Sequence, residues 1–299
     1  MKRLFGIITL IGLGFALWYF AIKPHDYNIS FKANTSTGHV YTELLNWGKV
    51  TETTVASVGS KSPYQRVVHQ LKVANKTFEI DWNIIRLNDS VTRVKAGISQ
   101  PGKSFINRLL IPFQDTEYEQ TTLDLVLDYK SFLDESIKQF SITIDGEEAS
   151  PEQLCACTRS KTTPEKKAFS MMRDYSYLSG FIASNGLTAN GRPLVEVIDL
   201  DEENRMLEFN FCFPVKRTDL RPESPDIFFR ELTGSKALKA TYHGDYRFSE
   251  KSWYRLFDYA EKHGKAYKKA PIEIYHNNPN MGGDALQWTT TIYLPLEEK

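Results

Sequence analysis

The chain has 299 residues, of which 41% are hydrophobic and 25% charged. This is the balance of ordinary globular protein, with length for about two domains. Lys and Arg number 37, as do Asp and Glu, so the clustered basic footprint of a nucleic-acid binder is missing and no such partner is expected.

Lys2 and Arg3 precede an uncharged run from Leu4 to Ile22, which Lys23, Pro24 and His25 close. Its length of about 19 residues, roughly 28 Å as a helix, matches a hydrocarbon core. Trp18, Tyr19 and Phe20 gather at its far end, where aromatic rings favour the membrane interface. That bulky end offers no small-residue cleavage pattern. Residues 1–25 therefore read as an uncleaved transmembrane anchor, with residues 4–22 in the membrane, rather than as a signal peptide. Lys2 and Arg3 favour a cytoplasmic N-terminus, with Lys23 and His25 pulling weakly the other way. The expectation is a single-pass membrane protein whose soluble domains are periplasmic or extracellular.

Residues 26–140 carry long alternating runs and one late helix. Asp26–Ala33 alternates as a strand. Val40, Leu44 and Trp47 fall at helical spacing within Thr37–Trp47. Tyr64–Val73 and Lys76–Arg86 read as strands, with Phe78, Ile80, Trp82 and Ile84 on one face and Glu79, Asp81 and Asn83 on the other. Val91–Ile98 is a further strand. Thr121–Phe140 is a long amphipathic helix with Leu125, Tyr129, Phe132, Leu133 and Ile137 on its apolar side. This order, opened by Ile29-Ser30-Phe31-Lys32-Ala33, resembles the START-like helix-grip fold of the SRPBCC or polyketide-cyclase-like superfamily. The resemblance implies a cavity between a curved sheet and the last helix, often holding an apolar ligand. Phe78, Ile80, Trp82 and Ile84 would line that cavity or fill the core in its place.

Residues 141–299 read as a twofold repeat, beginning near a turn at Asp145-Gly146. One half runs Leu154–Thr158 (strand), Pro164–Ser184 (helix), Leu194–Asp199 and Met206–Val215 (strands). The other runs Ala237–Tyr246 (strand), Ser249–His263 (helix), Ile272–His276 and Trp288–Leu296 (strands). Each helix stops near a glycine, Gly186 or Gly264. Pro193 and Pro271 open the next strands, and each last strand ends on proline and an aliphatic residue, Pro214-Val215 and Pro295-Leu296. Four shared features in one order point to internal duplication. The cysteines, Cys155, Cys157 and Cys212, are an odd count and no disulfide framework; Cys155 and Cys157, two apart in a strand-like stretch, are poorly placed to bridge each other and read as plain strand residues.

The stretches Tyr242-His243-Gly244-Asp245-Tyr246, Ser252-Trp253-Tyr254-Arg255-Leu256, Pro271-Ile272-Glu273-Ile274-Tyr275 and Thr291-Ile292-Tyr293-Leu294-Pro295-Leu296 resemble the GyrI-like domain. That domain is also the effector-binding domain of AraC-type and MerR-type regulators. The fold class expected for the whole chain is therefore α+β: a transmembrane helix, a helix-grip domain and a pseudo-twofold (strand-helix-strand-strand)x2 domain. The second resemblance implies a groove between the halves that binds small organic molecules, often cationic or aromatic, and in some members hydrolyses strained rings. Many members carry a glutamate where this chain has Thr291, with Asn210 as its half-one counterpart; Glu208 and Glu273 are the remaining carboxylates for that role.

Strand parity predicts which side chains face the groove. With Phe209, Phe211 and Phe213 under the helices, Glu208, Asn210 and Cys212 face the groove. With Ile272, Ile274 and Ile292 in the core, Glu273, Tyr275, Thr291 and Tyr293 face it too. Tyr246 completes the predicted ligand set, whereas Trp253, at helical spacing with Leu256, Phe257 and Ala260, reads as core. No phosphate-binding glycine loop, nucleophile elbow or histidine metal motif occurs, so no cofactor or metal is expected. The expected function is small-molecule binding or sensing. The alternative is a hydrolase using Glu208 or Glu273 with a tyrosine as proton partner. A transcriptional regulator lacks its helix-turn-helix segment here, and a purely structural envelope protein would have both cavities filled by its own side chains.

Overall fold

The computed structural model describes residues 2–47, 54–73 and 75–297. Helix α1 (Lys2–Leu17) runs into a π-helical turn at Trp18–Ile22. Leu4–Ile22 is long and apolar enough to cross a membrane, and none of it is buried in the protein. The chain divides into two compact units, the first comprising Met1–Leu87 and Val91–Asp134, N-terminal helix included, and the second Asn88–Ser90 and Glu135–Lys299.

In the first unit, strands β1 (Tyr27–Ala33), β2 (Thr54–Ser62), β3 (Arg66–Val73), β4 (Lys76–Arg86) and β5 (Thr92–Ser99) form an antiparallel sheet in the order β1-β5-β4-β3-β2. Helices α2 (Thr37–Trp47), α3 (Ser104–Leu110) and α4 (Glu117–Ile137) accompany it. Alternation in β4 sends Phe78, Ile80, Trp82 and Ile84 to one buried face. Leu125, Val126, Tyr129 and Leu133 make the buried stripe of α4. Trp82 stands 4.9 Å from the Tyr129 ring and 5.8 Å from Trp47, edge-on to the latter. The Tyr129 hydroxyl donates to the Val40 carbonyl (3.0 Å), and Trp47 Nε1 donates to Asp128 (2.8 Å), which satisfies those two polar tips, whereas the buried Trp82 Nε1 has no hydrogen-bond partner among the described residues. The β4 side chains thus interlock with α2 and α4 as core.

His69 lies in this core, edge-on to Trp47 at 5.7 Å. Burial disfavours the imidazolium and pushes its pKa down to about 4. The folded state then resists a proton that the unfolded chain accepts near pH 6.5. The stability held above that pH is lost as pH falls from about 6.5 to 4, by about 3 kcal/mol in all. Denaturant unfolding of the first unit at pH 7 and pH 4 measures this, and His69→Phe should flatten the dependence.

The second unit is an eight-stranded antiparallel sheet in the order β10-β7-β9-β8-β12-β13-β11-β6. Its strands are β6 (Phe140–Ala149), β7 (Glu152–Thr162), β8 (Leu194–Asp201), β9 (Met206–Val215), β10 (Phe228–Thr233), β11 (Lys236–Gly244), β12 (Ile272–Tyr275) and β13 (Thr289–Pro295). Helix α5 (Lys167–Ser184) links β7 to β8, and α6 (Lys251–Lys262) links β11 to β12. The blocks β7-β9-β8 and β12-β13-β11 are related by a pseudo-twofold through the β8–β12 seam. The two strand-opening prolines sit at that seam. The Pro271 carbonyl accepts from Val197 N–H and the Pro193 carbonyl from Tyr275 N–H, each at 3.0 Å. Gly186 and Gly264, at φ +68° and +62°, take the left-handed position just past α5 and α6, where a side chain would be strained.

Two expectations are corrected. Asp145-Gly146 is no turn between domains: it lies inside β6, at a bulge where that strand pairs with β11. Cys157, bonded to Cys212, is not a plain strand residue either. The two are direct partners across β7 and β9, 4.1 Å apart at Cα, and form a disulfide, leaving Cys155 as a buried thiol.

Candidate functional site: an aromatic recess over a buried ion pair

Helix α5 presents Ala168, Met171, Met172 and Tyr175 at positions i, i+3, i+4 and i+7, which is one helix face. Opposite stands a short 3₁₀ turn, Tyr246–Phe248, which Asp245 caps by accepting from Arg247 N–H (2.9 Å). Between them opens a recess of about 270 Å³, with Phe211, Tyr246, Tyr275 and Trp288 as its aromatic surfaces. Tyr246 lies 4.8 Å from Tyr275 and 5.5 Å from Trp288. Its hydroxyl accepts from Asn277 N–H (2.9 Å) and lies 3.2 Å from the Thr289 carbonyl, which fixes the ring. Burial raises the Tyr246 phenol above its usual pKa. The charged residues of the lining are Arg192, Asp245 and Arg247. Arg247 is held by both side-chain contacts to Asp245 (2.9 and 2.7 Å), whereas Arg192 is exposed.

Behind Tyr275 lies a fully buried ionic cluster. Lys167 Nζ donates to Glu273 (2.6 Å) and to Ser249 Oγ (2.7 Å), and sits 4.5 Å above the Trp253 ring. Trp253 Nε1 donates to the other Glu273 oxygen (2.9 Å), and the Tyr275 hydroxyl donates to Glu273 as well. Lys167 and Glu273 have no exposed surface. Each has two or more partners, which is what permits a charge pair without water. Glu250 is buried beside them; burial raises its carboxyl pKa to about 7, against the pull of Lys167 and Lys251. Burial also drives the Tyr275 phenol well above its ordinary pKa, and the Glu273 charge adds to it.

The seven residues predicted for one face are divided between two. Register puts Glu273 opposite Val195 and Ile292, and Val195 opposite Phe211. Cross-strand partners share a face, so Glu273 and Tyr275 lie with Phe211 and Ile292 on the helix-covered side. The recess is on that side, with Tyr246 and Tyr275 in its lining and Glu273 beneath. Glu208, Asn210, Thr291 and Tyr293 lie on the opposite face. There Asn210 accepts from Arg159 (3.0 Å) and donates to Glu196 (2.8 Å), which Arg230 also binds (2.8 Å). Glu208 is 3.5 Å from Arg159, Thr291 hydrogen-bonds His276 (2.8 Å), and Lys239 lies over Tyr293. The assignment of Ile272 and Ile274 to the space under the helices is corrected by the same register. Ile272 packs with Cys155, Leu194, Cys212, Leu232 and Ala237 in a second apolar cluster on that opposite face, and Ile274 lies against it. With both faces partly apolar, alternation alone cannot say which is covered.

Several recess residues escaped the sequence reading. The Ala168, Met171, Met172 and Tyr175 stripe had a signal, since its spacing is legible within the predicted helix. Lys167 had none, because a lysine in a first helical turn ordinarily reads as solvated. Among the described residues no group of three or more His, Cys, Asp or Glu could hold a metal ion.

A pseudo-twofold sheet with an aromatic recess under its helices has the form of a small-molecule-binding domain. The family model described as "GyrI-like small molecule binding domain" matches residues 199–297, and this part of the chain carries that domain. Solved structures resemble the chain at low identity. The C-terminal domain of EcmrR is 18% identical, over 54% of this chain and 99% of that one, with a TM-score of 0.45. SAV2435 bound to tetraphenylphosphonium is 12% identical, over 53% and 93%, at 0.33. A hydrolase from Listeria innocua is 13% identical, over 56% and 98%, at 0.34. No curated protein matches.

Proposed function

We propose that the protein is a membrane-anchored small-molecule binder or sensor, whose ligand is an aromatic organic compound held in the recess between α5 and the Tyr246 turn. The carrying observation is the recess itself, walled by Phe211, Tyr246, Tyr275 and Trp288. The lining favours a neutral or anionic guest over a cation. Lys167 already compensates Glu273, Arg247 is paired with Asp245, and Arg192 adds positive charge at the rim. Hydrolysis is the weaker reading. The Glu273 oxygens are taken by Lys167, Tyr275 and Trp253, and Glu208 belongs to the other face. A general base needs a free oxygen within reach of the ligand.

The run Leu4–Ile22 supports the anchor, Lys2 and Arg3 support a cytoplasmic N-terminus, and the Cys157–Cys212 disulfide supports soluble units in an oxidising compartment. The element order of the first unit supports its reading as a helix-grip domain.

Calorimetric titration of the full chain in detergent with naphthalen-1-ylmethanol, 1-naphthoate and naphthalen-1-ylmethylammonium tests the ligand class. The neutral and anionic probes should bind more tightly than the ammonium, and Tyr246→Ala or Trp288→Ala should weaken them about tenfold, the loss of one good aromatic contact. Tightest binding by the ammonium would overturn the charge assignment. Absence of binding by all three would remove the recess as the ligand site.

A further inference from the structure

Helix α3 is amphipathic the wrong way round for a helix in water. Its polar residues Asn107 and Arg108 are buried, at 8% and 6% exposure. Its apolar residues point out: Phe105 (61%), Ile106, Leu109 and Leu110, followed by Phe113 (83%) just past its end. A surface helix of a soluble domain does the reverse, and a contiguous apolar patch of this kind marks a contact surface.

The patch is clamped to the foot of the apolar N-terminal helix. The Phe105 ring is 5.1 Å from Phe20. Arg108 Nη1 donates to the carbonyls of Tyr19 and Phe20, each at 3.2 Å, and the Tyr19 hydroxyl donates back to the Arg108 carbonyl (3.1 Å). Arg108 Nε also donates to Asp26 Oδ1 (2.8 Å), and Asp26 Oδ2 accepts from Gln100 N–H (3.1 Å). Asn107 donates to the Gln100 side chain (3.1 Å). The inward polar residues thus fasten α3 to the helix end, which fixes the height of its outward apolar ones.

We propose that α3 and the turn through Phe113 form a membrane-interface foot, with Phe105, Leu109 and Phe113 dipping into the boundary between headgroups and acyl chains. The inference rests on residues 4–22 spanning the bilayer. The occupant is lipid because the patch is continuous with the end of that span. Tyr19 and Phe20 are rings of the kind that settle at the interface, and Phe105 touches Phe20. Lys23, over the Tyr19 ring at 4.7 Å, and exposed Lys103 suit the phosphate level. The foot holds the first unit at a set orientation to the bilayer, burying apolar side chains about 5–10 Å deep as interfacial helices do.

The test uses the full chain in phosphatidylcholine–phosphatidylglycerol vesicles. An environment-sensitive fluorophore is placed on one cysteine at a time, from Phe105→Cys, Phe113→Cys, Phe15→Cys or Lys72→Cys; native Cys155 is buried and does not compete for label. Quenching is read with lipids spin-labelled near the headgroup end or near the methyl end of the acyl chain. Labels at 105 and 113 should be quenched at least about twofold more by the shallow lipid, the signature of interfacial depth. The label at 15 should favour the deep lipid, and the label at 72 should respond to neither. If 105 and 113 behave like 72 while 15 is quenched, the foot is wrong and the span stands. If 15 is unquenched, the span fails and the foot with it.

Discussion

Lys167→Met destabilises the second unit by about 3–5 kcal/mol, the cost of leaving a buried charge without its partner. The expectation follows from geometry. Glu273 is fully buried, its Lys167 contact is 2.6 Å, and its remaining donors, Trp253 and Tyr275, are neutral groups. Glu273→Gln also destabilises, since Lys167 then loses its hydrogen-bonded carboxylate and keeps neutral acceptors, the Trp253 face and the nearby Glu250. The double variant recovers a large part of the loss, because removing both charges also removes both desolvation penalties. Denaturant unfolding of the four proteins gives the coupling directly. Additive losses, or a Lys167→Met cost under about 1 kcal/mol, would mean that the two charges are not coupled in a dry site. The cycle also bears on ligand choice: freeing Glu273 of its lysine should raise affinity for the naphthylmethylammonium probe, provided that the variant folds.

Removing the Cys157–Cys212 bridge costs about 2–5 kcal/mol, chiefly by releasing the unfolded chain. The bridge closes a loop with 55 residues of separation, and long loops gain most from closure. Cys157→Ala/Cys212→Ala and reduction of the native chain should lower the unfolding midpoint alike, and reductant should not affect the variant. Thiol counting is the companion measurement. The unreduced, denatured chain should take one alkyl label, at Cys155, and the reduced chain three. Three labels without reduction from a freshly isolated membrane fraction would place the units in a reducing compartment and overturn the exterior orientation.

The two effects were unequally legible. The repeat in the second unit could be read because its signals are local. A proline must open its strand, a glycine is favoured at a left-handed cap, and such residues carry their meaning wherever the chain goes. The Thr37–Trp47 helix and the β4 alternation were legible likewise, since periodicity is a property of neighbours. The Cys157–Cys212 contact was not, because it depends on β7 and β9 becoming adjacent in the sheet.

The candidate site marks the same limit. Tyr246 and Tyr275 stood in the predicted ligand set, but the side of the sheet to which each strand residue points could not be read. Parity divides a strand into two sets without saying which one the helices cover, and here Ile272 and Ile274 supplied an apolar set for the wrong side. Only the register, Glu273 against Val195 and Ile292, decided it. It brought a carboxylate from one half to a lysine 106 residues earlier, and separated Glu208, Asn210, Thr291 and Tyr293 from the recess. The sequence by itself determined the elements, their duplication and the apolar N-terminal run, because backbone preference and hydrophobic period act over a few residues. Tertiary structure alone decided which charges meet, which cysteines bond and which face holds the recess, because those depend on distances between residues far apart along the chain.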